Sequence, residues 1–379
     1  MSSASITGLI TGRPGTKVRS YSKINLGLAI GPVRADGFHG LTTLYQTLAL
    51  HDVVTVSARR AVETKIVLTT NHPYVPRDGR NTCWKMVERA LLRLGVTAEV
   101  AIHIEKNLPV QGGMGAGSAN AAAALIGLER ELGVALKGVE RLELAAGVGS
   151  DVPLFLLGGS VLGLGRGELV VPLPDMARVA CVIAVPGIGV STPAAFRDWD
   201  ALVAADSMSQ NGDVGHSGLT SLSAPDRLME LSLAYAACYV PQASPEHGTS
   251  GIVRSENPEK KQGSSDESQA GWLNDLAENT LLSLVRTGVE NGGLQNDFEA
   301  VVFPSNPSLR EIKRLLMGED SGNPALYAAL SGSGSALFGL YWSMAEAEAA
   351  QQRVQMSGVK ALITETLPRT EYWARMFAG

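Results

Sequence analysis

Four glycines, an early lysine–asparagine pair and an aspartate before a proline are the residues of this chain best suited to chemistry. Gly112, Gly113, Gly115 and Gly117 fall within six residues of Leu108-Pro-Val-Gln-Gly-Gly-Met-Gly-Ala-Gly-Ser118-Ala-Asn120. Glycine admits positive φ and lets a ligand come close to the backbone. If such a loop joins a strand to a helix, unpaired backbone N–H groups and the positive helix end converge on an anion. The chemistry would then be that of a phosphate cradle. The same loop reads equally as a glycine turn that packs a small-residue helix on a sheet. No Lys follows the last glycine, and the spacing is not G-x-G-x-x-G, so any phosphate would be held by backbone amides.

Lys23 and Asn25 stand in the apolar stretch Tyr21-Ser-Lys-Ile-Asn-Leu26. Two residues apart on a strand, they share a face, which suits polar recognition or a solvent-facing edge. Asp151, in Gly149-Ser-Asp-Val-Pro-Leu-Phe155, lies between a helix end and a segment read as an apolar strand. It is a turn or cap residue or a site residue. His39, after the turn Arg34-Ala-Asp-Gly37, is a base reader or a loop histidine. Ser331-Gly-Ser-Gly-Ser-Ala336 permits tight strand packing or close approach to a ligand.

The elements that must position these residues are legible as patterns. Ala98–Glu105 alternates apolar and polar residues and predicts a strand. Ser118 stands where an N-cap belongs, ahead of a helix over Ala121–Glu131 that Gly133 stops. Thr42–Ala58 reads as a long apolar segment ending in the alternating strand Val53–Val56, and further strands are expected at Ala180–Val185, Leu326–Ala329, Ala336–Leu340 and Lys360–Thr364. Helices are expected at Asn81–Leu94, Arg227–Tyr239, Asp275–Thr287, Ser308–Leu316 and Ala345–Gln355. The pattern points to α+β in two domains, 1–175 and 176–379. Residues 207–271, rich in Ser, Gly, Pro, Asn and Asp, read as a disordered insertion in the second.

The chain has 379 residues, 45% hydrophobic and 18% charged, enough for a substantial core. A net charge of −5 without a basic block argues against nucleic acid as partner. Cys83, Cys181 and Cys238 have neither disulfide-framework nor zinc spacing. No apolar run approaches the roughly 18–20 residues of a membrane span. The acid-free, Ser/Thr-rich start with Arg13, Lys17 and Arg19 bears marks of a transit peptide. It is read instead as an ordinary N-terminus, and the protein as cytoplasmic.

In order, Lys23-x-Asn25, Pro109-x-x-Gly-Gly-x-Gly-x-Gly-Ser118-x-Asn120, Gly149-x-Asp151-x-Pro153 and Ser331-Gly-Ser-Gly334 resemble the galacto-homoserine-mevalonate-phosphomevalonate (GHMP) kinase family. The block Arg34-Ala-Asp-Gly-Phe-His39 is similar to that of members acting on a cytidyl diphosphate ester of methylerythritol in the non-mevalonate isoprenoid pathway. Thr192-Pro193-x-x-Phe196 and Asn296-Asp-Phe-Glu299 look like the family's second half. The resemblance implies a ribosomal S5 domain 2-like N-terminal domain and a ferredoxin-like C-terminal one. It implies ATP on Gly112, Gly113, Gly115, Gly117, Ser118 and Asn120, with Mg²⁺ whose protein ligands are unknown, Ser118 being a candidate. Asp151 would accept the proton of the substrate's 2-hydroxyl, and Lys23 would keep that carboxylate ionised. Asn25 would bind the erythritol side, Phe38 and Phe196 would sandwich cytosine, and His39 would hydrogen-bond its edge. The alternatives are another small-molecule acceptor (homoserine, mevalonate or a sugar) and a non-catalytic ATP-binding sensor. Oligomeric state is not indicated.

Overall fold

Two long antiparallel strands, β1 (Thr16–Val33) and β2 (His39–Arg60), organise the first half of the protein. The structure is a computed structural model describing residues 14–110, 112–209, 294–319, 321–322 and 324–378. The first half of β2 pairs with β5 (Ser160–Leu164), which pairs with β6 (Leu169–Pro172). Its second half pairs with β4 (Ala98–Glu105). β3 (Lys65–Thr70) runs parallel to β4, which requires a crossover, and α1 (Thr82–Leu94) supplies it. The Asn81 side chain caps α1 by accepting from the Cys83 N–H, and Gly95, at φ 64°, ends it. Cys83, Met86, Val87, Ala90 and Leu91 recur at helical spacing and are buried.

Between the sheet and α1 lies α2 (Ala116–Leu132), buried along most of its length because its residues are small, and α3 (Gly138–Val148) follows it. A Cβ on Gly127 would sit 2.7 Å from Val56 Cγ2, so the helix rests directly on β2. The small-residue packing offered as the alternative to a cradle is therefore real along this helix. It does not account for the loop before it.

The second sheet is antiparallel, in the order β10 (Lys360–Glu365), β7 (Ala180–Val185), β9 (Leu337–Tyr341), β8 (Tyr327–Leu330). Helices α4 (Thr192–Ser209), α5 (Glu299–Ser305) and α6 (Pro307–Met317) lie between β7 and β8, and α7 (Met344–Met356) joins β9 to β10. Numbered along the chain the strands stand 4-1-3-2, the ferredoxin-like arrangement that the resemblance implied. Apolar residues of both sheets meet in one cluster, including Ile24, Leu26, Leu44 and Leu48 with Ile183, Phe338 and Leu340. After β10, the chain returns to the first sheet through α8 (Arg369–Ala374) and β11 (Phe377–Ala378), which pairs with β1.

Three expectations need correction. Ser118 is not the N-cap of α2: Gly115 is, with left-handed backbone (φ 68°, ψ 14°) that turns the chain straight into the helix. The apolar segment after Asp151 is a turn of 3₁₀ helix, Pro153–Leu156, because Pro153 opens it and the strand follows only at Ser160. The 207–271 segment is not irregular from its first residue, since α4 runs through Ser209. That helix was missed, although Thr192-Pro193 is a start signal. The helices expected at Arg227–Tyr239 and Asp275–Thr287, and the rest of the 207–271 segment, lie outside the described residues. Cys83 and Cys181 are free and buried, and burial pushes both thiols up, so neither is a ready nucleophile.

Candidate active site

The glycine loop is tied on both sides. Upstream, fully buried Asp52 accepts from Lys106 Nζ at 2.6 Å and from the Asn107 and Leu108 N–H groups, each at 2.7 Å. The turn leading into the loop is thus fixed to β2 by one carboxylate. Downstream, the loop meets the second glycine segment of the chain. Ser331 Oγ donates to the Gly113 carbonyl at 3.1 Å, and the Ala336 N–H donates to that of Gly112 at 3.3 Å. Gly113 has φ 74°, and a Cβ there would fall 2.1 Å from the Ser331 carbonyl oxygen. A Cβ on Gly115 would fall 2.9 Å from Phe155 Cζ and 3.1 Å from Lys23 Cγ. Glycine is required at both places by contact as well as by dihedral. The Ser331–Ala336 segment therefore packs tightly against the loop, and its Gly332 and Ser333 also line a cavity.

Two cavities share this loop. One, of about 390 Å³, is lined by Gly112, Gly113, Gly115, Gly117, Ser118 and Asn120, with Tyr74, Arg80, Thr82 and Lys106 opposite. The N-terminus of α2 opens onto it, and the first N–H groups of a helix have no partner within the helix. Displaced from the cap position, Ser118 is half-buried on the cavity wall. Asn120 is buried, and its Oδ1 accepts from Ser20 Oγ at 2.6 Å, so it also ties α2 to β1. This cavity suits a nucleotide: left-handed backbone at Gly113 and Gly115 turns the loop into the start of α2, where unpaired N–H groups favour an anion. Among the described residues no group of three or more His, Cys, Asp or Glu could hold a metal.

The second cavity, of about 550 Å³, is lined by Lys23, Asn25, Phe38, His39, Asp151 and Phe196, and it shares Gly113 and Gly115 with the first. Strand parity carries Lys23 and Asn25 to one face, and Lys23 Nζ donates to Asn25 Oδ1 at 2.5 Å. Irregularities in the β1–β2 register flank the pair, between Tyr21 and Lys23 and between Asn25 and Gly27. Such bulges re-aim side chains beside sites. Asn25 Nδ2 in turn donates to Thr43 Oγ1 at 2.7 Å. Lys23 Nζ lies 3.4 Å from Asp151 Oδ2, and the lysine is 3% exposed. The other Asp151 oxygen accepts from the Tyr45 hydroxyl at 2.9 Å. Burial raises the Tyr45 hydroxyl well above its ordinary pKa and the Asp151 charge adds to this, so Tyr45 stays a donor.

At the far end of the cavity, Phe38 is half exposed. The His39 ring stacks on Phe196 at 5.0 Å and 7°, and Phe196 meets Phe298 edge-on at 5.0 Å. His39 Nδ1 faces the Gly31 carbonyl at 2.9 Å, and Nε2 lies 3.1 Å from Asp200 Oδ1. The residues expected to bind ATP line the first cavity, and Lys23, Asn25, Phe38, His39, Asp151 and Phe196 line the second. Sequence reasoning missed Tyr45, Thr43, Arg166 and Asp200. Thr43, Tyr45 and Thr47 alternate along β2, a parity signal for polar residues on one face, whereas Asp200 carried none.

Residues 81–159 match the GHMP kinases N terminal domain, and residues 274–360 match the GHMP kinases C terminal domain. The 4-diphosphocytidyl-2-C-methyl-D-erythritol kinase of Rhodococcus jostii is 41% identical over 185 residues, 49% of this chain and 59% of that protein. The chain spans about three fifths of the length of the first such relatives it matches. The protein of the same name from Moorella thermoacetica is 30% identical over 351 residues, 92% of this chain and 98% of the relative. A crystal structure of 4-(cytidine 5'-diphospho)-2C-methyl-D-erythritol kinase shares the fold, with a TM-score of 0.58, 23% identity, and coverage of 92% of this chain and 98% of that one. With both halves matched and one relative aligned nearly end to end, the chain belongs to the GHMP kinase family.

Proposed function

We propose that the protein transfers the γ-phosphoryl group of ATP to the 2-hydroxyl of 4-diphosphocytidyl-2-C-methyl-D-erythritol. The observation that carries this reading is the meeting of the two cavities at Gly113 and Gly115, with Lys23 and Asp151 on the acceptor side. The relatives' names supply the acceptor. A donor cradle and an acceptor pocket that share a wall can bring phosphorus and hydroxyl into line, and phosphoryl transfer asks chiefly for positioning and charge stabilisation. We read residues 1–175 and 176–379 as the two lobes around this junction.

In this reading the triphosphate lies along Gly112–Ser118, held by backbone N–H groups at the start of α2. Mg²⁺ would offset phosphate charge, with Ser118 on the cavity wall as a candidate protein ligand, since Mg²⁺ commonly takes few of them. Asp151 accepts the proton of the attacking hydroxyl as the new P–O bond forms. Lys23 stabilises charge on the attacking oxygen and the carboxylate together. Asn25, held by Thr43, presents its amide to the erythritol portion. Phe38 and Phe196 flank the cytosine. For His39 to bond the base edge, Nε2 exchanges its contact with Asp200 for one with the ligand. No described helix is long and apolar enough to cross a membrane. We place the enzyme in the cytoplasm, with a small molecule as its partner.

Stacking of a base on an aromatic ring contributes about 1–3 kcal/mol. Phe38→Ala should therefore raise the KM of the cytidyl substrate roughly tenfold or more, with little change in kcat. An unchanged KM would remove Phe38 from the base site. Tyr45→Phe deletes one hydrogen bond to the carboxylate, and at about 1 kcal/mol it should lower kcat roughly fivefold. Steady-state rates at saturating ATP read both. A drop in kcat of less than about twofold would mean that Tyr45 only packs.

The deciding experiment is Mg²⁺-dependent ATP consumption with 4-diphosphocytidyl-2-C-methyl-D-erythritol, homoserine, mevalonate and galactose in parallel. Turnover confined to the cytidyl ester is expected. Turnover confined to another acceptor keeps the kinase and discards the cytosine pocket. ATP binding without turnover on any of them ends the catalytic reading.

A further inference from the structure

A cation that the mechanism above does not use sits in the acceptor cavity. Arg166 stands at the tip of the β5–β6 hairpin, between Gly165 (φ 75°) and Gly167 (φ 101°). The tip is pinned to β2. The Gly165 carbonyl accepts from the Leu41 N–H at 2.6 Å, and a Cβ on Gly167 would fall 2.4 Å from the Tyr45 hydroxyl. That close approach sets the hairpin beside the reacting end of the cavity, with Gly167 next to Asp151 Oδ1. From there the Arg166 guanidinium reaches the other way, over the Phe38 ring, with Cζ 5.0 Å from the centroid.

The guanidinium is only partly engaged. Its nearest acidic neighbour, Glu168, is 3.7 Å from Nε, and Nε is buried without a hydrogen-bond partner among the described residues. Of the other charges of the cavity, Lys23 pairs with Asp151 and Asp200 with His39, while Arg197, on α4, is exposed at the cavity wall. Phe38, Arg166 and Asp151 therefore stand in sequence along one wall. An aromatic platform, a forked cation and a proton acceptor follow one another, as base, diphosphate and alcohol do in a nucleoside diphosphate ester. A guanidinium matches phosphate oxygens with parallel N–H bonds.

We propose that Arg166 reads the diphosphate of the acceptor and sets the site's preference for a nucleoside diphosphate ester over a nucleoside. This rests on the proposed function, which names the acceptor but assigns its diphosphate to no residue. The bond to phosphate forms on binding, and the stack over Phe38 holds the guanidinium in place beforehand.

The test uses the full chain and two competitive inhibitors of the cytidyl substrate, cytidine and cytidine diphosphate. Arg166→Met should weaken cytidine diphosphate about 10- to 100-fold, as expected when a charge-assisted hydrogen bond is lost, and cytidine by less than about twofold. Arg166→Lys should recover part of the loss. Binding of ADP to the glycine-loop cavity reports whether the variants are folded. Equal weakening of both inhibitors would mean that Arg166 only supports the Phe38 ring, and would overturn the proposal. So would a variant that binds cytidine diphosphate as the wild type does. If wild-type protein bound neither inhibitor and used another acceptor, the functional reading and this proposal would fall together. Failure of the variants alone to change binding would overturn only the role of Arg166.

Discussion

Asp151→Asn should lower kcat by at least about 10²-fold, the lower end of what a positioned acid–base group contributes, while the KM values for ATP and acceptor change little. The substitution is nearly isosteric. The Tyr45 hydroxyl can still donate to the retained oxygen, so the fold and the Tyr45 contact survive. What is lost is the atom that takes the hydroxyl proton, along with the charge facing Lys23 Nζ at 3.4 Å. Lys23→Met should cost a similar factor by a different route, because it removes the cation that stabilises both the carboxylate and the attacking oxygen. Single-turnover rates at saturating substrates separate chemistry from binding. Near-normal turnover in Asp151→Asn would leave Asp151 a positioning group, with the proton departing by another path.

The second large effect concerns stability. Asp52→Ala should cost about 3–5 kcal/mol, the range for removing one member of a buried ion pair. Asp52 is fully buried, and Lys106 has 4% of its side chain exposed. Deleting the carboxylate leaves an ammonium and two backbone N–H groups, those of Asn107 and Leu108, without their acceptor. Asp52→Asn should cost less, since its amide oxygen can keep part of this set. Chemical denaturation gives the difference from the transition midpoint at constant slope. A loss below about 1 kcal/mol in Asp52→Ala would mean that water replaces the carboxylate at this site. Because these donors lie just before the glycine loop, ATP affinity should fall along with stability.

Much of the site was legible because its signals are local. The glycine spacing, the parity of Lys23 and Asn25, and the aspartate before Pro153 each need only a few neighbouring residues to be read. The strands of the second sheet were legible for the same reason, as short apolar runs between turns. The residues missed are joined across long separations. Tyr45 meets Asp151 106 positions away, and Asp52 meets Lys106 54 positions away. Nothing near Tyr45 or Asp52 announces those partners. Helix α2 began earlier than expected because a left-handed glycine took the cap, a geometry that composition does not separate from an ordinary turn. The polarity of Ser118 pointed to a cap, yet the residue stands in the first turn of α2 and lines the cavity.

The pairing of β11 with β1 bears on how the protein is made. Lys17 and Val18 stand opposite Ala378 and Phe377, and the Tyr372 hydroxyl donates to the Phe155 carbonyl at 2.7 Å. One edge of the first sheet is therefore supplied by residues that are synthesised after every strand of the second. The first sheet waits, with the edge of β1 uncovered, while the whole of the second is synthesised. Domains that fold vectorially, N-terminal first, are spared that wait, and an open strand edge is a template for wrong pairing. Chains halted before Tyr372 should accumulate with an unfinished first sheet, and nascent-chain proteolysis should show its protection arriving late and together with that of the second.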